Sequence, residues 1–270
     1  MTEQLLVSVV MPVFDPDPAY LREAVDSVLC QTLRDFELVI VEDPSPRSAE
    51  GVLRQLDDPR VRYFRNERRL SMVESLNLGL SYAKADLVAR IDADDVCHPQ
   101  RLEKQIEYLR AHPEISVLGT QLAVIDRHGS RLGYRAYPTD SDAIRKAMPR
   151  FNPLAHPSVV YRKAAVIEAG GYRYPVNEDY ELWCRLAQRG VRFANLAEPL
   201  LLYRMHPAAG KSAKLLEVLQ GTIDIKRMYW RGQMDLGSRV RIGLEQMLLH
   251  LPTPLIYRLF AASQFTRRLP

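Results

Sequence analysis

Along the first part of the chain, short continuous apolar runs alternate with stretches whose apolar residues recur at helical spacing. Leu6 to Phe14 is a strand-length run, broken by Asp15-Pro16-Asp17-Pro18. Leu21, Ala24, Val25, Val28 and Leu29 then recur as one face of a helix. Phe36 to Val41 reads as a second strand, and Val52, Leu53 and Leu56 mark a short helix. Val61 to Phe64 reads as a third strand. Ser71 followed by Glu74 forms a capping-box pattern. Behind it, Val73, Leu76, Leu80 and Ala83 line the buried side of a helix, and Leu87 to Ile91 is a fourth strand. This alternation predicts a parallel sheet with helices on both faces.

Beyond Pro99, which suits a helix first turn, the pattern predicts a helix carrying Leu102, Ile106 and Leu109. A strand over Ile115 to Ile125 follows, then a turn at Asp126 to Ser130. Helical patterns run from Asp140 to Met148 and from Asp179 to Gln188, and Leu200 to Tyr203 is strand-like. After His206-Pro207-Ala208-Ala209-Gly210 the chain reads as helical, including a last segment with Leu255, Ile256, Leu259 and Phe260. The expected division is a domain over 1–210 and a basic, amphipathic helical extension over 211–270.

The fourth strand ends in Asp92, Asp94 and Asp95. Ligands of open α/β sheets sit at the carboxyl ends of the strands. Three carboxylates this close repel unless a cation joins them, which suits oxygen-ligated Mg²⁺ or Mn²⁺ that also holds substrate phosphates. The plainer alternative is an Asp-rich turn capping a helix.

Composition narrows the classes. The chain has 270 residues, 47% hydrophobic and 26% charged, as in globular proteins. The start lacks a basic leader, and no apolar run approaches the roughly 18 residues that span a bilayer. Three scattered cysteines, Cys30, Cys97 and Cys184, argue against a disulfide framework or zinc site and fit a reducing cytoplasm. The net charge of +4 is uneven: residues 211–270 hold ten Lys/Arg and four Asp/Glu, and the rest 27 and 29. With the main part slightly acidic and no recognised motif in the tail, nucleic acid is not an expected partner.

Four blocks in order resemble one family. They are Val9-Val10-Met11-Pro12-Val13-Phe14-Asp15, Val39-Ile40-Val41-Glu42-Asp43-Pro44-Ser45, Arg90-Ile91-Asp92-Ala93-Asp94-Asp95 and Asn177-Glu178-Asp179-Tyr180-Glu181-Leu182-Trp183. Over residues 5 to 206 the chain resembles family 2 glycosyltransferases, inverting nucleotide-sugar enzymes. The resemblance implies a GT-A fold: a Rossmann-like, mostly parallel α/β sheet flanked by helices.

The resemblance also implies roles. Asp43 accepts a hydrogen bond from the nucleotide base, typically uracil, since a carboxylate only accepts and an imide N–H only donates. Pro12 and Phe14 line the same site, with Phe14 against the base. Glu42 and Pro44 depart from the common Asp and Gly. Asn66, Arg68 and Arg69 follow the third strand, where a guanidinium suits diphosphate or base. Asn77 is a further family-like polar position.

Asp94 is the expected metal ligand, assisted by Asp95, with Asp92 at the ribose or donor sugar; the metal neutralises the diphosphate leaving group. Asp179 is the expected general base, with Glu178 as the alternative, and only one of these neighbours is expected to face the sugar. Arg204 and His206, in Tyr203-Arg204-Met205-His206, fall where the family contacts diphosphate or metal. His156 and Ser158 fall near the acceptor pocket.

The implied activity moves a sugar from a nucleoside diphosphate donor, UDP-sugar first, to a glycan or lipid-linked acceptor hydroxyl in surface polysaccharide synthesis. Two alternatives stand beside it: a nucleotidyltransferase, though Phe14 to Pro18 lacks the glycine-rich loop that class needs, and a non-catalytic sugar-nucleotide-binding scaffold. The basic tail fits either a membrane-surface anchor on the cytoplasmic face or a helical cap or homodimer contact.

Overall fold

The first strand, β1 (Val7–Val13), is buried along its whole length, as a strand covered on both faces requires. The computed structural model describes residues 5–205 and 215–251. β1 pairs in parallel with β2 (Phe36–Glu42) on one side and β4 (Leu87–Arg90) on the other, and β2 pairs in parallel with β3 (Val61–Arg65). Successive β1 side chains go to opposite layers. Val7, Val9, Met11 and Val13 join one core with α1 (Pro18–Leu29) and α4 (Arg101–Ala111). Val10 joins the other, with α3 (Met72–Tyr82) and α7 (Glu178–Gln188). A short α2 (Glu50–Leu53) lies between β2 and β3.

The helices start where the local chemistry dictates. Asp17 caps α1 by accepting from the Ala19 and Tyr20 amides. Ser71 and Glu74 form the reciprocal capping box of α3. Gly79 lets α3 lie close on β1, since a Cβ there would meet Val10 Cγ1 at 2.5 Å.

Downstream of β4 the sheet is mixed. It runs β3-β2-β1-β4-β8-β6-β9-β5, with β7 off β6. Here β5 is Val96–Cys97, β6 Ile115–Ile125, β7 Arg131–Arg135, β8 Val160–Arg162 and β9 Arg192–Arg204. α5 (Ser141–Ala147) and α6 (Lys163–Glu168) complete this part. β8 runs antiparallel to both β4 and β6, while β6 and β9 are parallel.

The sheet is thus mostly parallel, as expected: β1 to β4 are parallel throughout, and the antiparallel pairs come afterwards. β8 enters antiparallel between β4 and β6, whereas the parallel pair β6 and β9 is joined through α5, α6 and α7. The strand read over Leu200 to Tyr203 is the end of thirteen-residue β9. Its polar Glu198 and Pro199 lie where the register against β6 shifts. α4 starts at Arg101, not at Pro99, because the Pro99 carbonyl accepts the Thr32 amide at 2.9 Å and keeps the turn out of the helix.

The described C-terminal helices pack on this body. α8 (Leu215–Trp230) buries Ile225 and Trp230 in the core shared with α7, and the Trp230 indole N–H donates to Cys184 Sγ at 3.2 Å. α9 (Leu236–Leu248) packs on α8 through Leu219, Ile223 and Ile242, and the buried Lys226 ammonium meets both oxygens of Glu245 at 2.7 Å. Truncating Trp230 to alanine is expected to cost about 3–5 kcal/mol, as for a buried large side chain. Urea unfolding monitored by circular dichroism checks this. A loss under 1 kcal/mol, with about as little meaning as an exposed substitution, would show that α8 is not part of the cooperative core.

Candidate active site

The four parallel strands deliver their C-terminal tips to one edge of the sheet, where the chemistry gathers. β4 ends at Arg90, and the chain passes through buried Ile91 and turns through Asp92, Asp94 and Asp95. One carboxylate oxygen from each lies within 4.8 Å of the others. Asp95 is fully buried; its Oδ1 accepts the Arg204 amide at 2.9 Å, and its Oδ2 has no partner. Burial, then the charges of Asp92 and Asp94, hold the Asp95 pKa well above the usual carboxylate value. A crowded carboxylate trio with an orphaned buried oxygen fits a hard, oxygen-ligated dication.

Arg90, 3% exposed, pairs with Asp92 at 2.5 Å. Burial works against its charge, but Asp92 and then Glu178 outweigh that and raise its pKa. The turn is held from behind by Arg101, whose Nη2 donates to the Arg90 carbonyl at 2.8 Å and whose Nη1 donates to Cys97 Sγ at 3.2 Å. Cys97 is therefore a packing and hydrogen-bonding residue.

Arg204, expected at the donor phosphates, is 2% exposed and engaged elsewhere. Its Nε donates to the Asp94 carbonyl at 2.9 Å, its Nη2 pairs with Glu23 at 2.5 Å, and its guanidinium stacks 4.5 Å over Tyr20. It braces the carboxylate turn through the backbone. His206 lies outside the described residues.

The neighbouring tips form a second group. Asp43 is buried; its Oδ1 accepts from Asn66 Nδ2 at 2.7 Å and its Oδ2 from the Leu70 amide at 3.2 Å, with Ser75 Oγ at 3.3 Å from both. Phe14 stands 44% exposed, with the Arg69 guanidinium 4.1 Å above its ring. Pro12 is buried in β1. Arg68 sits apart, largely exposed and 3.6 Å from Glu74. Glu42 is a buried brace that accepts the Ala49 amide at 2.8 Å and the Tyr63 hydroxyl. Burial and then that bond push the Tyr63 pKa up to about 12.

The third group opens α7. Asn177 takes a left-handed conformation, φ 58°, and its side chain donates to the Val218 carbonyl at 2.8 Å on α8. Glu178 and Asp179 follow in the first helical turn, where carboxylates suit the dipole. Both are largely buried, and with His156 they place ligand atoms within 4.8 Å of one another. His156 comes from the 3₁₀ turn His156–Ser158. Asp179 Oδ2 accepts from Asn152 Nδ2 at 2.8 Å, and Oδ1 is buried without a partner. His156 Nδ1 lies 3.5 Å from Glu178, and its Nε2 lies 3.0 Å from the Tyr172 hydroxyl. Asn77 fixes Tyr172 through both backbone polar groups, at 2.9 Å each. Ser158 is fully buried and spent on backbone groups, donating to the Ala155 carbonyl at 2.9 Å.

Asn152, Tyr172, Arg101 and the linking role of Arg90 had no motif to announce them. Only Arg90 left a trace, as one charge inside the apolar run Leu87 to Ile91.

The arrangement has known counterparts. The glycosyl transferase family 2 model matches residues 8–168. The amylovoran biosynthesis glycosyltransferase AmsE of Erwinia amylovora is 34% identical over 204 residues, covering 74% of this chain and 76% of AmsE. The O-antigen biosynthesis glycosyltransferase WbnJ of Escherichia coli is 33% identical over 219 residues, covering 78% of this chain and 84% of WbnJ. A further Escherichia coli relative, a UDP-Gal:alpha-D-GlcNAc-diphosphoundecaprenol beta-1,3-galactosyltransferase, is 24% identical and covers 95% of this chain and 92% of its own.

Among solved structures, residues 1–349 of Staphylococcus aureus TarS in complex with UDP-GlcNAc superpose with TM-score 0.64 at 15% identity, covering 91% of this chain and 72% of that one. The Pyrobaculum calidifontis mannosyltransferase PcManGT in complex with GDP-Man and Mn²⁺ gives 0.62 at 17%, covering 95% and 73%. The fold is that of a GT-A glycosyltransferase, and the chain belongs to glycosyltransferase family 2.

Proposed function

We propose that this enzyme transfers a sugar, with inversion, from a nucleoside diphosphate sugar to an acceptor hydroxyl in surface polysaccharide assembly, with residues 1–210 as the catalytic unit. The carrying observation is the carboxylate trio with its orphaned Asp95 oxygen, linked through Arg90 to the Glu178–Asp179 cluster. Asp94 and Asp95 are the residues to hold Mn²⁺ or Mg²⁺. Bound there, the ion supplies Lewis-acid neutralisation of the leaving diphosphate.

The protein's own groups do the rest. Buried Asp43, held by Asn66, Ser75 and the Leu70 amide, accepts from a base N–H, and the family resemblance makes that base uracil. Phe14, with Arg69 above it, offers the base an aromatic face. Asp92, fixed by Arg90, meets the ribose or donor sugar. Asp179 takes the acceptor proton on Oδ1, because Asn152 already occupies Oδ2. As that proton leaves, the acceptor oxygen bonds to the anomeric carbon, and the carbon–phosphate-oxygen bond breaks with its electron pair going to the diphosphate. Glu178 sits beside the base, held by His156. TarS and PcManGT carry UDP-GlcNAc and GDP-Man respectively, and UDP-sugars are the donors to test first. The activities of these relatives favour a growing surface glycan, carried on a lipid diphosphate, as acceptor.

Calorimetry tests this reading. UDP-sugar binding is expected to require both Mn²⁺ and Asp94, and to vanish with chelator or in Asp94→Ala. Because Asp95 holds a proton above the usual carboxylate range, Mn²⁺ binding is expected to release protons and tighten as pH rises. The observed heat then changes with the ionisation enthalpy of the buffer. Absence of nucleoside diphosphate binding under every metal condition would sink the proposal.

A further inference from the structure

Among the described residues, nothing covers the outer face of α9. Leu236, Val240, Leu244 and Met247 step by four, four and three residues, so they form one stripe. They are 78%, 55%, 57% and 67% exposed, and Leu251 continues the stripe at 37%. The opposite face is the one that packs, with Ser238 and Ile242 buried and Glu245 holding Lys226. An apolar stripe this regular is unusual on a surface that only meets water.

Basic groups flank it. Between α8 and α9 runs an open groove of about 830 Å³, whose lining includes Arg227, Met228, Arg231, Arg239 and one acid, Asp224. The ion pairs of these helices use Lys226, Arg241, Glu245 and Asp235. They leave Arg227, Arg231 and Arg239 without a carboxylate partner among the described residues. On the other flank, Arg241 pairs with Glu245.

We infer that this face seats on an anionic bilayer, with lipid phosphates in the arginine groove and the α9 stripe among the upper acyl chains. Apolar residues on one side and cations at the margins define a helix that lies in the interface plane. Charge complementarity selects this occupant. A second copy would bring the same unneutralised positive charge to this face, whereas anionic headgroups neutralise it. The surplus of basic residues over 211–270 acts in the same direction.

Position gives the contact a purpose that rests on the glycosyltransferase reading above. Asn177 immediately precedes Glu178 and Asp179, and it is bonded to the Val218 carbonyl and, at 3.1 Å, to the Thr222 hydroxyl of α8. The helix pair that meets the membrane is therefore tied to the segment that carries the base. An acceptor held on a lipid anchor would reach Asp179 with its height above the bilayer already set.

The experiment is flotation of the full-length chain with phosphatidylglycerol–phosphatidylcholine vesicles, without donor or acceptor. The protein is expected to float with these vesicles, to stay behind with pure phosphatidylcholine, and to detach as salt rises. Replacing Arg227, Arg231 and Arg239 together by serine is expected to lower the partition coefficient about 100-fold, from roughly one factor of five per basic residue at the surface. The double variant Leu236→Ser, Leu244→Ser is expected to abolish the remaining binding. All these side chains are exposed, so both variants should keep the native melting temperature and UDP-sugar binding, measured without vesicles.

A folded protein that ignores anionic vesicles overturns the inference. So does binding that neither variant weakens. Dimers in sedimentation equilibrium that Leu236→Ser, Leu244→Ser dissociates, with flotation intact, would assign the stripe to self-association instead. Nucleotide binding reports the donor site separately, so failure there is distinguishable from failure at the membrane.

Discussion

Asp94→Ala is expected to lower kcat/KM for sugar transfer by about 10³-fold. The leaving group is a diphosphate whose negative charge grows as the anomeric bond breaks, and a bound dication stabilises that charge by several kcal/mol. At 1.36 kcal/mol per tenfold, three decades correspond to about 4 kcal/mol. On the proposed assignment, removing Asp94 would take away one oxygen ligand and one of the three clustered carboxylates. The fold should survive, because Arg204 grips this residue through its backbone carbonyl, and the neighbouring Asp95 carboxylate still accepts the Arg204 amide. Transfer assays across Mn²⁺ concentrations, with a thermal melt as control, read both quantities. A variant that folds and retains more than a tenth of native activity at low Mn²⁺ would remove Asp94 from the metal site.

Asp179→Asn is expected to lower kcat by about 10²–10⁴-fold, the usual worth of a positioned general base, with the KM for donor nearly unchanged. Asparagine keeps the shape and still offers an oxygen to Asn152 Nδ2. It lacks the oxygen that takes the acceptor proton. Metal and nucleotide are assigned to other residues, so their binding should persist, and donor hydrolysis by water should fall with transfer. Steady-state kinetics in both substrates, beside Glu178→Gln, decide the assignment. If Glu178→Gln loses more kcat than Asp179→Asn, the base is Glu178, and Asp179 becomes a positioning residue.

The two expectations rest on features read in different ways. The carboxylate trio was plain in the sequence because three aspartates directly follow an apolar run, and a strand tip is where such a run must end. The Glu178–Asp179 pair was visible only as a block in family order. Taken alone, it is the ordinary acidic first turn of a helix. Its special status comes from contacts with Asn152 and with His156, residues far enough along the chain that no local pattern joins them. Arg204 shows the reverse: a basic residue at a family-like position reads as a phosphate ligand, but the fold buries it against Glu23 and backbone carbonyls.

Local chemistry by itself determined the strands and helices of the first half, the capping box of α3, the aspartate tip of β4 and the basic character of the C-terminal region. Each depends on neighbours within a turn or on the alternation of buried and exposed positions, so the residues carry the information where they stand. Only the tertiary structure decided the antiparallel half of the sheet, the buried charge of Arg90 between two carboxylate groups, and which face of α9 is left bare. Those depend on pairing between distant segments, where burial raises the cost of every unmatched charge. A sequence specifies that matching only through the completed fold.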